Sequence, residues 1–371
     1  MKIGILTWHF IDNYGGVLQC WALQKKLLNM GHEVTVINYV PAALKSRLPF
    51  WKGWRIRSGF VRNFTPRLMR IVFGKCAELK FDTFRSDYLN LSKLCFDLEG
   101  VQQEVDKYDV VIVGSDQVFR FPQFRAYLMD FGSSFSGRKI AYAACCGSPD
   151  VSRYAEVKNL INNFEKLSVR TEFSYRCLTD ASQRGDIITV VDPTCLVDLD
   201  EIGISIPNLP KKYIITYIMG EEISGGHQRV INALREKYEG VPIISIVPTA
   251  QCPQWFTISD LKLNSVGPQE WISLLSNASF IYTDSYHATL YAFNHQKDFI
   301  AYYAEANRRD RFLDLIKRFE IDGSIVNSAD LAVQSIRRHD HKVSELSRAK
   351  MIHNIEISEA FLKDALTRNY S

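Results

Sequence analysis

The sequence predicts an α/β protein made of two successive blocks of strands and helices, with a cleft between them. Three observations predict it. Apolar runs of strand length alternate with stretches of helical periodicity along most of the chain. Some runs, such as YDVVIV at Tyr108–Val113, are almost continuously apolar, as strands buried on both faces are. The alternation breaks once, at LDEIGISIPNLPKK (199–212), which carries two prolines and little periodicity, and then starts again. The blocks are therefore drawn as residues 1–200 and 201–340, with 341–371 as a C-terminal helix.

The first block opens with a strand, KIGILT at Lys2–Thr7. A turn containing Asn13, Gly15 and Gly16 follows, then a helix over Gly16–Met30 with Val17, Trp21, Gln24, Leu27 and Leu28 at helical spacing. Gly31 ends it, and EVTVINY is the next strand. This is a βαβ unit of roughly Rossmann size, without the G-x-G-x-x-G turn of a dinucleotide site. Gly15 and Gly16 suit either close backbone approach to a ligand at the helix start or a loop that needs positive φ. Phe81–Leu91 reads as a helix, and the Tyr108–Val113 strand ends in Gly114, Ser115, Asp116 and Gln117. Ligands of open α/β sheets sit at such carboxyl ends. Lys139–Ala144 is a strand, 150–164 a helix, Leu167–Arg170 a short strand ending in an arginine, and Ile187–Val191 a strand closed by Asp192 and Pro193. In the second block the strands are Tyr213–Ile218, Val241–Val247, Phe280–Tyr282 and Phe299–Tyr303. The helices are Gln228–Tyr238, Pro268–Asn277, a helix from His287, Arg308–Phe319 and Val343–Leu366.

The 371 residues are 46% hydrophobic and 23% charged, with net charge +4, the balance of a soluble globular protein that tolerates anionic ligands. The 8 cysteines include no C-x-x-C pair, which favours buried thiols in a reducing compartment. No run has the length of a transmembrane helix, and MKIGILTWHF is too short and interrupted for a secretory signal. A cytoplasmic location is expected. The stretch 42–75 is distinct: Lys45, Arg47, Lys52, Arg55, Arg57, Arg62, Arg67, Arg70 and Lys75 occur without an acidic residue, interleaved with aromatics. Such a mixture suits peripheral contact with an anionic membrane surface, a lipid-linked anionic substrate, or a helical excursion packed on its own domain. No nucleic-acid module accompanies it, so nucleic acid is not expected as a partner.

The densest local signal is FIYTDSYHATLYAF, Phe280–Phe293. An apolar strand stops at Thr283, Asp284 and Ser285, side chains that start helices, and a helix follows. A helix mouth offers N–H groups and a dipole to an anion, and His287 sits in its first turn. The plainer reading is an ordinary joint, with Ser285 as N-cap and His287 half exposed.

Taken in order, these segments resemble the polysaccharide pyruvyl transferases. KIGILTWHFIDNYGGVLQCWALQKKL is similar to that family's opening strand, N-Y-G-A turn and helix. VIVGSDQVF resembles its glycine–serine–aspartate turn, LSVRTEFS its S-V-R-E element, and VVDPT its D-P-T turn. TDSYHATLYAF resembles its S-F-H-G element, and RFLDLIKRFEI its late arginine-led helix. Each motif is weak alone; their shared order is specific. The chain departs at Ala288, where the family has glycine, and at Gly16, where it has alanine.

The resemblance implies two Rossmann-like domains of glycosyltransferase-B-like architecture. It also implies transfer of the pyruvyl group of phosphoenolpyruvate onto two hydroxyls of a sugar, as a cyclic ketal. The donor carries a phosphate and a carboxylate, so its site needs cations and N–H donors. Arg170 is the first candidate and Arg311 the second, with Ser285–Ala288 at the helix mouth. Asn13, Gly15, Gly16, Gly114 and Ser115 are further candidates for substrate contact. His287 suits proton transfer near neutral pH. Asp116 is a candidate to orient or deprotonate an acceptor hydroxyl, and Asp284 to fix the imidazole. Arg170 could instead form a structural ion pair. No P-loop or metal-ligand spacing occurs, so no cofactor or metal is expected beyond phosphoenolpyruvate as co-substrate. The expected acceptor is a saccharide, free or lipid-linked. Two rival readings stand beside this one: a nucleotide-sugar-dependent glycosyltransferase of the same architecture, and a non-catalytic saccharide-binding relative.

Overall fold

The computed structural model describes residues 1–47, 64–132, 135–147, 152–247 and 258–367. Most of the basic and aromatic stretch at 42–75, and with it the expectation of membrane contact, lies outside the described residues and side chains. The described residues of Met1–Ile56, Thr83–Val197 and His353–Ser371 form one compact unit, and those of Arg57–Asp82 and Asp198–Ile352 form a second. By sequence, the first block ended at residue 200 and the C-terminal helix stood apart. Here the first boundary follows Val197 and the last falls inside that helix.

The first unit begins with β1 (Lys2–Leu6), α1 (Tyr14–Asn29) and β2 (Glu33–Val36), followed by the end of α2 (Phe64–Tyr88), whose residues up to Asp82 belong to the second unit, and by α3 (Leu98–Val105), β3 (Val110–Val113) and β4 (Arg138–Ala144). Next come α4 (Ser152–Ala155), α5 (Lys158–Asn162), β5 (Lys166–Val169), α6 (Glu172–Ser182) and β6 (Ile188–Thr189). Asn13 starts α1: its side chain accepts from the Gly16 N–H at 3.0 Å. The single helix expected over 150–164 is two short ones, because the backbone leaves helical geometry at Val157 (φ −113°, ψ 14°). Helix α6 was unread, although Thr171 caps it and Glu172 stands in its first turn.

The second unit carries β7 (Ile214–Tyr217), α7 (His227–Lys237), β8 (Ile243–Ile246), β9 (Leu261–Leu263), α8 (Pro268–Ser276) and β10 (Phe280–Thr283). It continues with α9 (Tyr286–Asn294), β11 (Phe299–Tyr302), α10 (Ala306–Phe319), β12 (Ile325–Val326), α11 (Ala329–Arg338) and the start of α12 (Glu345–Leu366), whose residues from His353 belong to the first unit. Strands β9 and β12 span three and two residues, too short to show a period. Helix α11 has a Ser328 cap, Asp330 at its start and Arg337 and Arg338 at its end, a charge order that complements the helix dipole.

Each unit holds a six-stranded sheet, parallel at every described pairing. The first runs β2-β1-β3-β4-β5-β6, the second β12-β11-β10-β7-β8-β9. Numbered from β7, the second is the Rossmann order read from its far edge. Both are α/β sheets, and their central strands are buried throughout: VVIV in β3, IITY in β7 and FIYT in β10. Leu6, Val111, Val113, Phe119, Ala141 and Val169 share the first core. Ile214, Val230, Leu234, Phe280, Ile300 and Ala332 share the second. Among the described residues no helix is long and apolar enough to cross a membrane.

Candidate active site

Parallel sheets bind ligands where the strand order reverses, beyond the carboxyl ends of the two strands that part there. In the first unit these are β1 and β3; in the second, β7 and β10. The sequence-predicted residues gather at these two places.

At the first, Thr7 leaves β1 and Gly114–Ser115 leaves β3, joined by a cis peptide. Thr7 Oγ1 donates to the Ser115 carbonyl at 3.1 Å, and Gln19 of α1 donates to Thr7 Oγ1 at 2.9 Å. The Ser115 N–H returns to Gln19 Oε1 at 3.0 Å, closing the ring. Gly114 has φ +125°, and a Cβ there would lie 1.9 Å from the Tyr142 carbonyl oxygen. Only glycine fits.

Arg170, at the end of β5, is 1% exposed. It was expected to present its guanidinium to the donor. It is instead buried between two carboxylates, 2.7 Å from Asp192 Oδ2 and 3.2 Å from Asp116 Oδ1. Asp192 also accepts from the N–H and hydroxyl of Thr194, so the turn former and the ion partner are one residue. Asp116 is the member of this set that reaches the surface, with a side chain 24% exposed and φ +64°. The arrangement lets Arg170 aim Asp116. Gly15 and Gly16 lie in the first turn of α1 and do not take positive φ. A Cβ on Gly16 would stand 3.3 Å from the Trp8 carbonyl oxygen, a tight contact but not a forbidden one.

At the second place, β10 ends in Thr283 and α9 begins after Asp284 and Ser285. Ser285 Oγ accepts from the Ala288 N–H at 3.4 Å, one of the four donors a helix start leaves unsatisfied. Thr289 Oγ1 donates back to the Ser285 carbonyl at 2.8 Å, and Ala288 is fully buried. His287 is half-buried, its ring edge-on to Tyr286 with centroids 5.5 Å apart. The Arg311 guanidinium of α10 lies 5.8 Å from the centroid of the same Tyr286 ring. His287 and Arg311 thus both lie against the ring of Tyr286, the residue after the N-cap Ser285.

Asp284 was expected to fix the imidazole. Its carboxylate accepts from the N–H groups of Met219 at 2.7 Å and Gly220 at 2.6 Å, and from Arg308 Nη1 at 2.7 Å. Burial raises its pKa, while Arg308 and these N–H groups pull it down. The sequence reading missed Arg308, Glu305 and Gly220 here, and Gln19 in the first unit. Gln19 follows Gly16 by one helical turn, a spacing that puts its amide back over the helix start.

Among the described residues, one group could offer three metal ligands: Asp198, Asp200 and His295, with atoms within 4.8 Å of one another. It lies beside the C-terminal end of α9, opposite the mouth, and Asp200 there already accepts from Tyr291 and Ser276.

The family model described as "Polysaccharide pyruvyl transferase" matches residues 13–304, more than half of the chain. No match is found among the curated proteins. Several solved structures share the fold at low identity. Anabaena Alr3699/HepE in complex with UDP-glucose has TM-score 0.56 and 12% identity, over 98% of this chain and 100% of that one. UDP-GlcNAc 2-epimerase from Neisseria meningitidis, bound to UDP-GlcNAc, gives 0.54 and 12%, over 98% and 100%. Arabidopsis thaliana UGT89C1 with UDP-L-rhamnose gives 0.52 and 12%, over 98% and 97%. At such identity the likeness speaks for the fold, two Rossmann-like units of the glycosyltransferase-B-like kind.

Proposed function

The chain belongs to the polysaccharide pyruvyl transferase family, and we propose that it moves the pyruvyl group of phosphoenolpyruvate onto two hydroxyls of a saccharide. The observation that carries this reading is the start of α9 at a switch point of a Rossmann sheet, with Ser285 as its cap and His287 and Arg311 both beside Tyr286. A helix mouth and a guanidinium match the phosphate and carboxylate of the donor.

The chemistry follows from the donor. A proton delivered to the methylene carbon makes it a methyl group and develops positive charge on the adjacent carbon. A sugar hydroxyl attacks that carbon and gives up its proton. Phosphate leaves with its bonding pair, and the second hydroxyl closes the ketal, releasing another proton. His287 is assigned the proton delivery and recovery, a task suited to an imidazole. Asp116 is assigned an acceptor hydroxyl, with Arg170 as the residue that orients it. The basic and aromatic content of 42–75 fits, on sequence alone, an acceptor carried on an anionic membrane surface.

The test is incubation with phosphoenolpyruvate and a panel of sugar diols, following phosphate release. Release that requires both partners supports the reading. No release with any diol, from folded protein, contradicts it.

A further inference from the structure

Arg308 lies at the start of α10 and is 19% exposed as a side chain. Its Nη1 is 2.7 Å from Asp284 Oδ2, and its Nε is 3.4 Å from Oε1 of Glu305, the N-cap of its own helix. Asp284 in turn holds the Met219 and Gly220 N–H groups beyond β7. The segments that follow β7, β10 and β11 therefore meet on one carboxylate, directly before the N-cap Ser285. A side chain at 220 would press on the ends of these side chains, which must shift to admit it. A Cβ on Gly220 would lie 2.2 Å from Glu305 Oε1, 2.9 Å from Asp284 Oδ2 and 3.0 Å from Arg308 Cζ.

We propose that Arg308, steadied by Glu305, is a positioning residue: through Asp284 it locks the 219–220 turn to the end of β10, and so fixes the helix mouth on which Ser285 and His287 stand. This rests on the reading of that mouth as the donor site. Ser285 and His287 follow Asp284 by one and three residues, so a shift of its carboxylate moves them both. Arg308 acts through Asp284, with two carboxylates of the protein already on its guanidinium. Loss of the guanidinium leaves a buried carboxylate with only backbone donors, and the turn and the mouth lose their common anchor.

The experiment titrates phosphoenolpyruvate against the wild type, Arg308→Ala, Arg308→Lys and Gly220→Ala, reading affinity from the ligand-dependent rise in melting temperature. Kinetics with the best diol are run beside it. Arg308→Ala is expected to weaken donor affinity about tenfold and to lower kcat, because His287 is displaced along with the phosphate contacts. Arg308→Lys, which keeps one contact to Asp284, should recover a good part of the affinity. Gly220→Ala, which keeps every charge, should weaken the donor in the same direction and tests the proposal even if Arg308→Ala does not fold. A lowered melting temperature with unchanged donor affinity and kcat in the variants would make the cluster merely structural and overturn the proposal. A wild type that phosphoenolpyruvate does not stabilise would overturn the donor reading itself, and this proposal with it.

Discussion

At the scale of single residues, buried charge and missing space set the largest effects. Arg170 is sealed between Asp192 and Asp116. Removing one member of a buried pair strands its partners, at a cost of about 3–5 kcal/mol. Arg170→Ala should therefore lose that much stability in denaturant unfolding. Arg176→Ala, where the arginine is exposed and pairs with Glu172 along a helix, should stay within about 0.5 kcal/mol. His287→Ala makes the opposite contrast. Removing the imidazole strands no buried ion pair, so the melting temperature should fall less than in Arg170→Ala while phosphate release falls at least ~100-fold, the usual range for a lost acid–base group. Gly114→Ala should not accumulate as folded protein, since its methyl would overlap the Tyr142 carbonyl. The sequence shows these residues unevenly. Gly114, Asp116 and His287 stand out at the ends of apolar runs, where ligand sites form. Arg308 does not, because in ANRRDRF one arginine looks like any other on a solvated face. Its two carboxylate partners come from the loop before it and from the end of another strand, and only the fold brings them together.

At the scale of elements, strands and caps account for most of what was readable. The runs that became β3, β7 and β10 are apolar because both faces are covered, and composition located them with their ends one or two residues off. Asn13, Thr171, Ser285 and Ser328 all cap helices through their side chains, the local signal a sequence carries best. Ser285→Ala should cost about 1 kcal/mol, and Ser285→Asp should restore stability while repelling an anionic donor. The check is urea unfolding with and without phosphoenolpyruvate. The two- and three-residue strands β9 and β12 exist through their pairing with a neighbour, so their own residues announce them poorly, whereas β6 lies inside the run Ile187–Val191 that the sequence marks as a strand. The pairing across each switch point, β1 with β3 and β7 with β10, was not legible either. It is long-range, and it decides where the candidate residues meet.

At the scale of the whole molecule, pH reports on charge burial. The His341 ring, 3.8 Å from Asp298 Oδ2, holds that carboxyl below its ordinary value, helped by Lys342 and Lys237, with burial working the other way. A carboxyl depressed in the folded state adds stability above its ordinary titration near ~3.9, and that stability is lost as pH falls through the folded value. Asp298→Asn should therefore be less stable than the wild type at pH 7 and lose less on acidification below about pH 4, measured by thermal melts across pH. The central claim, that a helix mouth in the second unit takes a small donor bearing a phosphate and a carboxylate, is tested most directly by one titration: wild type and His287→Ala against phosphoenolpyruvate and against a nucleotide sugar, read as thermal protection. The account predicts that phosphoenolpyruvate protects the wild type, protects the variant less, and that the nucleotide sugar protects neither. Protection by the nucleotide sugar alone would contradict it.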